Sequence, residues 1–130
     1  MNDLSRFELV ERVIEIVDPK TKTQNVGIRI TLKSHHDESL QRIKRKRADA
    51  EKRAALRGKT VPTEEEEDSM NELIFATITG WEWYDCKIDG DVPEFNRANV
   101  MKILKHPQHG WWFREQLAEA VTDDGSFMRD

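Results

Sequence analysis

The sequence has few of the features that mark secreted, membrane or disulfide-stabilised proteins. It contains one cysteine, Cys86, which excludes an internal disulfide framework and is typical of a reducing compartment. No apolar run approaches the roughly 20 residues that a membrane-spanning helix requires. The segment MNDLSRFELV lacks the basic flank and the long apolar stretch of a signal peptide. We therefore expect a protein of the cytoplasm with no transmembrane segment.

Motifs of catalysis are also missing from the sequence. It contains no glycine-rich phosphate loop and no G-x-S-x-G motif, and neither Cys86 nor any serine lies in a recognisable nucleophile context. The carboxylates of Glu64–Asp68 are more typical of a solvated first helical turn than of an acid–base pair. We expect no enzymatic activity and no cofactor.

Histidine is the one residue type that raises the question of a metal site. His106–His109 places two imidazoles three residues apart, and His35, His36 or Cys86 could complete a tetrahedral zinc site. However, Pro107 prevents the two imidazoles from sharing one helical face, and one cysteine with scattered histidines is a weak ligand pattern. The sequence thus predicts exposed histidines at a turn between helices, and no metal site.

Charge is abundant, and its two signs are segregated along the chain. Charged residues make up 35% of the 130 residues, with a formal net charge of −4. Residues 42–59 carry nine Lys or Arg and two acids, a local net charge of +7, whereas residues 64–72 carry six acids and no base. This pattern predicts a basic helix beside an acidic helix, joined as an antiparallel helical hairpin with matched charges.

The N-terminal part of the chain predicts a β-hairpin. Val26–Leu32 alternates apolar and polar residues with the period of two that a half-buried strand requires. The β-branched run Val13–Val17 is its predicted partner, and Asp18–Asn25 supplies a polar turn. Because two strands alone are marginally stable in water, we expect a helix to cover their apolar face.

The central region predicts two helices. Ser34 is a candidate N-cap, Glu38–Leu56 contains neither glycine nor proline, and Gly58 is placed to end the first helix. The apolar stripe of this helix is thin, so much of its surface must meet solvent or a partner. Thr63–Glu66 is a capping box that begins the acidic helix, which we expect to end at Gly80.

The C-terminal region is rich in tryptophan and predicts two further helices. We expect residues 81–92 to be irregular or a short hairpin, followed by helices at Asn96–Lys105 and Gln108–Thr122. Trp111 lies at the edge of the last helix's apolar stripe, where it is a candidate for an exposed contact. The predicted core stripe consists of Trp112, Phe113, Gln116, Leu117, Ala120 and Val121.

Together these patterns predict one domain of the α+β class that spans residues 1–130. Its first part, residues 1–33, is the two-stranded β-hairpin. Residues 34–80 form the basic and acidic helical hairpin, which begins with a long charged helix. Residues 81–130 form the Trp-rich helical part, so that the domain has about four helices in a small bundle.

Several segments occur in an order that resembles a known family. They are Ile28–Leu32, Thr77–Trp81, Gly90–Pro93, Phe95–Val100, Trp112–Leu117 and the closing pair Ser126–Phe127. This order resembles that of the small tail assembly chaperones of long-tailed bacteriophages and prophages, and the resemblance spans residues 26–127. The cluster Trp81–Tyr84 departs from it, because it is more aromatic than that family leads us to expect.

The resemblance implies a non-enzymatic protein in the cytoplasm of a bacterial host. In that family the protein keeps the tape-measure protein, and in some cases tail-tube subunits, soluble until the tail assembles. We expect the partner surface to combine the basic helix with exposed tryptophans; its residues are Arg42, Arg45, Lys46, Lys52, Arg53, Trp81, Trp83 and Trp111. A homo-oligomer remains compatible with the sequence.

Three alternatives to this partner surface stay open. The basic helix could serve only to neutralise its acidic neighbour. The chain could be a phage-encoded inhibitor of a host defence system, in which Glu64–Asp68 imitates the spacing of phosphates. Residues 42–59 could also bind nucleic acid, since Lys and Arg neutralise phosphates; against this, the segment has no interleaved aromatic residues and lies beside an acidic block.

Overall fold

The computed structural model describes residues 1, 3–59 and 63–129, and these residues form a mixed α+β fold, as the sequence predicts. The strands are β1 (Glu8–Leu9), β2 (Arg12–Val17), β3 (Asn25–Leu32), β4 (Ile78–Trp83) and β5 (Met128–Arg129). The α-helices are α1 (Gln41–Leu56), α2 (Thr63–Thr77), α3 (Arg97–Leu104) and α4 (Gly110–Thr122). Short 3₁₀ turns lie at Leu4–Arg6, Glu38–Leu40 and Asp124–Phe127. Part of the predicted connection between the basic and the acidic helix, residues 60–62, lies outside the described residues.

The predicted N-terminal hairpin is confirmed and forms part of a larger sheet. Strands β2 and β3 pair antiparallel, with Ile14 opposite Ile30, and β3 pairs antiparallel with β4, with Ile30 opposite Trp81. The sheet order is therefore β2-β3-β4, with β3 in the centre. A separate two-stranded sheet of β1 and β5 joins the two ends of the chain.

Strand β4 corrects two predictions made from the sequence. The acidic helix ends at Thr77 rather than at Gly80, and residues that we expected to be helical or irregular form the strand Ile78–Trp83. These residues are mostly β-branched or aromatic, and such side chains fit a pleated, half-buried surface. Pairing with the free edge of β3, from Ile28 to Leu32, satisfies their backbone groups.

The core lies between one face of the three-stranded sheet and helices α2, α3 and α4. Its fully buried side chains include Ile16, Ile28, Ile30, Leu32, Leu104, Val100, Leu117 and Phe127. In the predicted stripe of α4, Phe113, Leu117, Ala120 and Val121 are buried, whereas Trp112 and Gln116 are half-buried at its margin. One sheet face and three helices therefore share a single apolar interior.

Helix α1 stands apart from this core. It continues a 3₁₀ turn, so that residues 38–56 form one helical segment, and Gly58 follows with φ of +66°. The buried side chain of the segment is Leu40, which lies in the 3₁₀ turn, while no side chain of the fully described α1 is buried. The backbone N–H of Lys33 donates to Thr77 O at 2.8 Å. This hydrogen bond holds the segment that leads into α1 against the end of α2.

Within the described residues, no helix is both long enough and apolar enough to cross a membrane.

Candidate partner-binding surface

Five basic side chains on α1 form the most exposed part of the predicted partner surface. They are Arg42, Arg45, Lys46, Lys52 and Arg53, all of which are exposed. At about 100° per residue these positions fall within a sector of about 120°, so they share one face of the helix. We call this set the basic face. The half-buried positions of α1, among them Ile43, Ala50 and Ala54, lie outside this sector.

The predicted charge match between α1 and α2 takes the form of a shared groove, which Lys46 and Arg47 line together with acids of α2, and not of ion pairs. Among the residues that the structure describes, no ion pair within 4 Å joins the two helices. The acids of α2 instead meet the helix that follows, because Glu72 pairs with Arg97 and Asp68 lies 3.2 Å from Lys105. The half-buried side of α1 faces α2, and of the basic face only Lys46 lines the groove between the two helices.

A groove of about 460 Å³ runs between α1 and α2. From α1 it is lined by Ile43, Arg47 and Ala50, and from α2 by acidic and small polar residues that include Glu65 and Ser69. Arg47 is the one basic residue of α1 that is paired with a carboxylate in the described chain, at 3.9 Å from Glu51 within the same helix. The groove thus has a partly apolar floor and an acidic wall, and Lys46 is the member of the basic face that lines it.

Trp111 is exposed, as the sequence predicts. Its side chain is 58% accessible and lies between two grooves, one of about 770 Å³ against β2 and one of about 370 Å³ against α2. The smaller groove meets the groove between α1 and α2 at Asp68, but Trp111 lines only the former and no residue of α1 lines it. Trp111 and the basic face are therefore two separate surfaces.

The prediction that Trp83 is exposed is wrong. Trp83 is only 9% accessible and belongs to the core, where its Nε1 has no hydrogen-bond partner among the described residues. Trp81 is half-buried; its ring contacts Trp83 and Phe95 edge-on, and its Nε1 donates to Pro93 O at 3.1 Å. Both tryptophans belong to β4, the strand that the sequence did not predict, which buries Trp83 and leaves Trp81 half-buried.

The structure groups the histidines differently from the zinc site that the sequence suggested. In the described part of the chain, the cluster of side chains that could hold a metal ion is His35, His36 and Asp124. It includes neither Cys86 nor the pair in His106–His109, whose Nδ1 atoms accept local hydrogen bonds. No local pattern indicates this cluster, because Asp124 is far from both histidines in the sequence.

The single thiol offers little reactivity. Cys86 is a free cysteine that is half-buried, and its partial burial raises the pKa of the thiol above the ordinary value. A raised pKa reduces the thiolate fraction at neutral pH, and the thiolate is the nucleophilic form. This placement agrees with the view that Cys86 is a structural residue.

Comparisons with protein-family models, with curated proteins and with solved structures found no match for this chain. The resemblance to phage tail assembly chaperones therefore rests on the sequence segments that carry it.

Proposed function

We propose that this chain is a non-enzymatic protein of bacteriophage tail assembly that acts in the host cytoplasm and binds its client through the basic face of α1. The observation that carries the proposal is the basic face itself. Its five cationic side chains are exposed, lie on one side of a helix with no buried residue, and have no carboxylate partner among the described residues.

A helix of this kind contributes little to the fold by burial. Isolated helices of about 12–15 residues are marginal in water, and most helical stability in proteins comes from packing of an apolar face. Because α1 packs through only a few half-buried side chains, a long basic helix is better explained by a partner than by the core. Concentrated positive charge also steers an acidic partner and suppresses basic ones.

The client that the sequence resemblance implies is the tape-measure protein, the tail-tube protein or both. Long helices of a client that carry acidic side chains would complement the basic face. The groove between α1 and α2 adds a partly apolar surface beside it, of the sort into which an amphipathic helix can lay its apolar side. The basic face and the partly apolar groove would thus bind the same client.

Co-purification of the client with matched charge variants tests the proposal. The chain is co-expressed with the tape-measure protein of its own phage, with Arg45, Lys46 and Arg53 changed to Ala. The control variant changes Lys20, Lys87 and Lys102 to Ala, which removes the same charge from exposed lysines elsewhere. We expect the α1 variant to lose the client while its thermal stability is unchanged, and the control variant to retain the client.

Two outcomes contradict the proposal. If both variants retain the client equally, the basic face does not bind it. If the α1 variant loses several kcal/mol of stability while its folded fraction still binds the client, α1 serves the fold.

Nucleic-acid binding by residues 42–59 is the second candidate function, and one observation favours it. Among the described residues no ion pair within 4 Å joins the acids of α2 to the basic face, which weakens one argument that the sequence raised against this function. Phosphate contacts by several Lys and Arg would make the affinity fall steeply with salt. Binding of the purified chain to DNA and RNA oligonucleotides at 50 and 200 mM salt, concentrations over which such an affinity drops by orders of magnitude, separates this function from client binding.

A further inference from the structure

Two neighbouring imidazoles and a distant carboxylate meet on the surface of the fold. His35 and His36 lie between β3 and the 3₁₀ turn that leads into α1, and Asp124 lies directly after α4. The Nε2 atoms of His35 and His36 are 2.9 and 3.2 Å from the same oxygen, Asp124 Oδ1. The two imidazole rings are tilted relative to each other, and their centroids are 3.9 Å apart.

We propose that His35, His36 and Asp124 form a binding site for a divalent transition-metal ion of the Zn²⁺ type. Imidazole nitrogen and carboxylate oxygen are the ligands that such ions take in proteins, whereas Mg²⁺ and Ca²⁺ prefer oxygen alone. One ligand atom from each of the three side chains lies within 4.8 Å of the others. Such a site is peripheral to the core, so the fold does not depend on the ion.

The distances match the coordination of such an ion. Bonds of about 2.0–2.1 Å to a tetrahedral Zn²⁺ place neighbouring ligand atoms about 3.3 Å apart. The two separations from Asp124 Oδ1, 2.9 Å to His35 and 3.2 Å to His36, are close to this value, and the separation between the two imidazole ligand atoms is within 4.8 Å. His36 and Asp124 are exposed, so their side chains can rotate to complete the geometry without disturbing packed neighbours. Three protein ligands leave a fourth position for water or another ligand.

Lys44 determines the affinity of this site for the metal ion. Its Nζ lies 3.0 Å from His35 Nδ1. A lysine ammonium can only donate, so the contact with Nζ assigns the acceptor role to Nδ1 and a ring proton to Nε2, which faces Asp124. A metal ion on Nε2 moves that proton to Nδ1, which then faces a donor and a positive charge. A carboxylate at position 44 would instead accept the Nδ1 proton, as carboxylates do behind zinc-bound histidines.

Isothermal titration of the full-length chain with zinc chloride, and separately with magnesium chloride, tests the proposal. We expect one Zn²⁺ per chain, no heat from Mg²⁺, and an affinity for Zn²⁺ that falls at least about 10-fold in His36→Ala and in Asp124→Asn. The matched control, His106→Ala with His109→Ala, removes the other histidine pair and should leave the affinity unchanged. Lys44→Glu should raise the affinity about 10-fold, the lower end of the effects known for such partners.

The variants also separate the proposal from a loss of folding. A gain of affinity in Lys44→Glu cannot come from misfolding, and far-UV circular dichroism checks the two ligand variants. Zinc binding that is equal in the wild type, His36→Ala and Asp124→Asn would overturn the site, as would binding lost only in the His106 and His109 variant. Absence of zinc binding in both the wild type and Lys44→Glu would overturn it as well.

Discussion

The side-chain amide of Gln116 holds both backbone groups of Val17. Its Oε1 accepts from the Val17 N–H at 2.9 Å, and its Nε2 donates to the Val17 carbonyl oxygen at 2.8 Å. Val17 lies at the end of β2, which is an edge strand of the sheet. An edge strand exposes unpaired backbone groups to other chains, so this amide from α4 closes part of the edge and fixes the helix against it.

Replacement of Gln116 by Ala should lower the free energy of unfolding by about 1–3 kcal/mol, because two hydrogen bonds of about 0.5–1.5 kcal/mol each are lost. Urea denaturation measures the change. The control is Gln24→Ala, since Gln24 is an exposed glutamine whose side chain makes no hydrogen bond to the described residues, and the stability of this variant should be unaltered. An equal effect of the two substitutions would show that the Gln116 amide adds nothing at the edge.

Replacement of Gly27 by Ala should destabilise the fold by at least about 2 kcal/mol. Gly27 has φ of +100°, where a Cβ is strained, and an added Cβ would lie 2.5 Å from the backbone of Asp85. Gly80→Ala is the matched control, because a Cβ at Gly80 meets no heavy atom within 4 Å and its backbone is not left-handed. Thermal unfolding of both variants checks this; similar losses at the two positions would contradict the close approach.

Replacement of Trp111 by Ala should cost less than about 1 kcal/mol of stability, because more than half of the side chain is already exposed. Its neighbour Phe113 is buried, and Phe113→Ala should cost about 3–5 kcal/mol. Guanidinium denaturation of the two variants measures the difference. A comparable loss at Trp111 would place its ring in the core and contradict its exposure.

The stability of the fold should depend on pH through the carboxylate of Asp37. Its Oδ1 accepts from the Ser39 hydroxyl at 2.6 Å and from the Ser39 N–H at 2.9 Å. These two hydrogen bonds lower the pKa of Asp37 below its ordinary value of 3.8, and the bond from the hydroxyl has the larger effect. Since the folded-state pKa is the lower one, the stabilisation is fully present above pH 3.8 and is lost as the pH falls through the folded-state pKa.

Asp37→Ala should therefore reduce stability by about 1 kcal/mol near neutral pH, the usual worth of such a cap. The difference between wild type and variant should shrink as the pH falls below 3.8. Urea denaturation at a series of pH values from neutral to strongly acidic measures this difference. A difference that stays constant, or grows, on acidification would show that the ionised carboxylate does not stabilise the turn before α1.

The sequence predicts those features that depend on local pattern. The period-two alternation at Val26–Leu32, the glycine-free run to Leu56 and the exposure of Trp111 all depend on neighbours along the chain, and the structure confirms each. The last four buried positions of α4 follow from helical spacing in the same way. Local pattern is sufficient for these features because the spacing of apolar residues within one element decides which of its faces is buried.

Features that depend on distant pairing could not be predicted. Ile78 continues the apolar pattern of α2, and only the free edge of β3 makes it a strand residue. The acidic residues of α2 lie beside a basic helix in the sequence, but packing of α3 brings Arg97 to Glu72. Asp124 reaches His35 and His36 through tertiary packing as well, so neither the ion pairs nor the metal-ligating cluster has a sequence signature.

The position of β4 after both long helices has a consequence for the order of folding. Strands β2 and β3 meet across a short turn, whereas β4 reaches the other edge of β3 only after the chain has passed through α1 and α2. The entropy of closing a loop grows with its length, and contacts distant in sequence slow folding. The β2–β3 hairpin therefore belongs to the early nucleus, so substitutions in it change the folding rate, while substitutions in β4 mainly change the rate of unfolding.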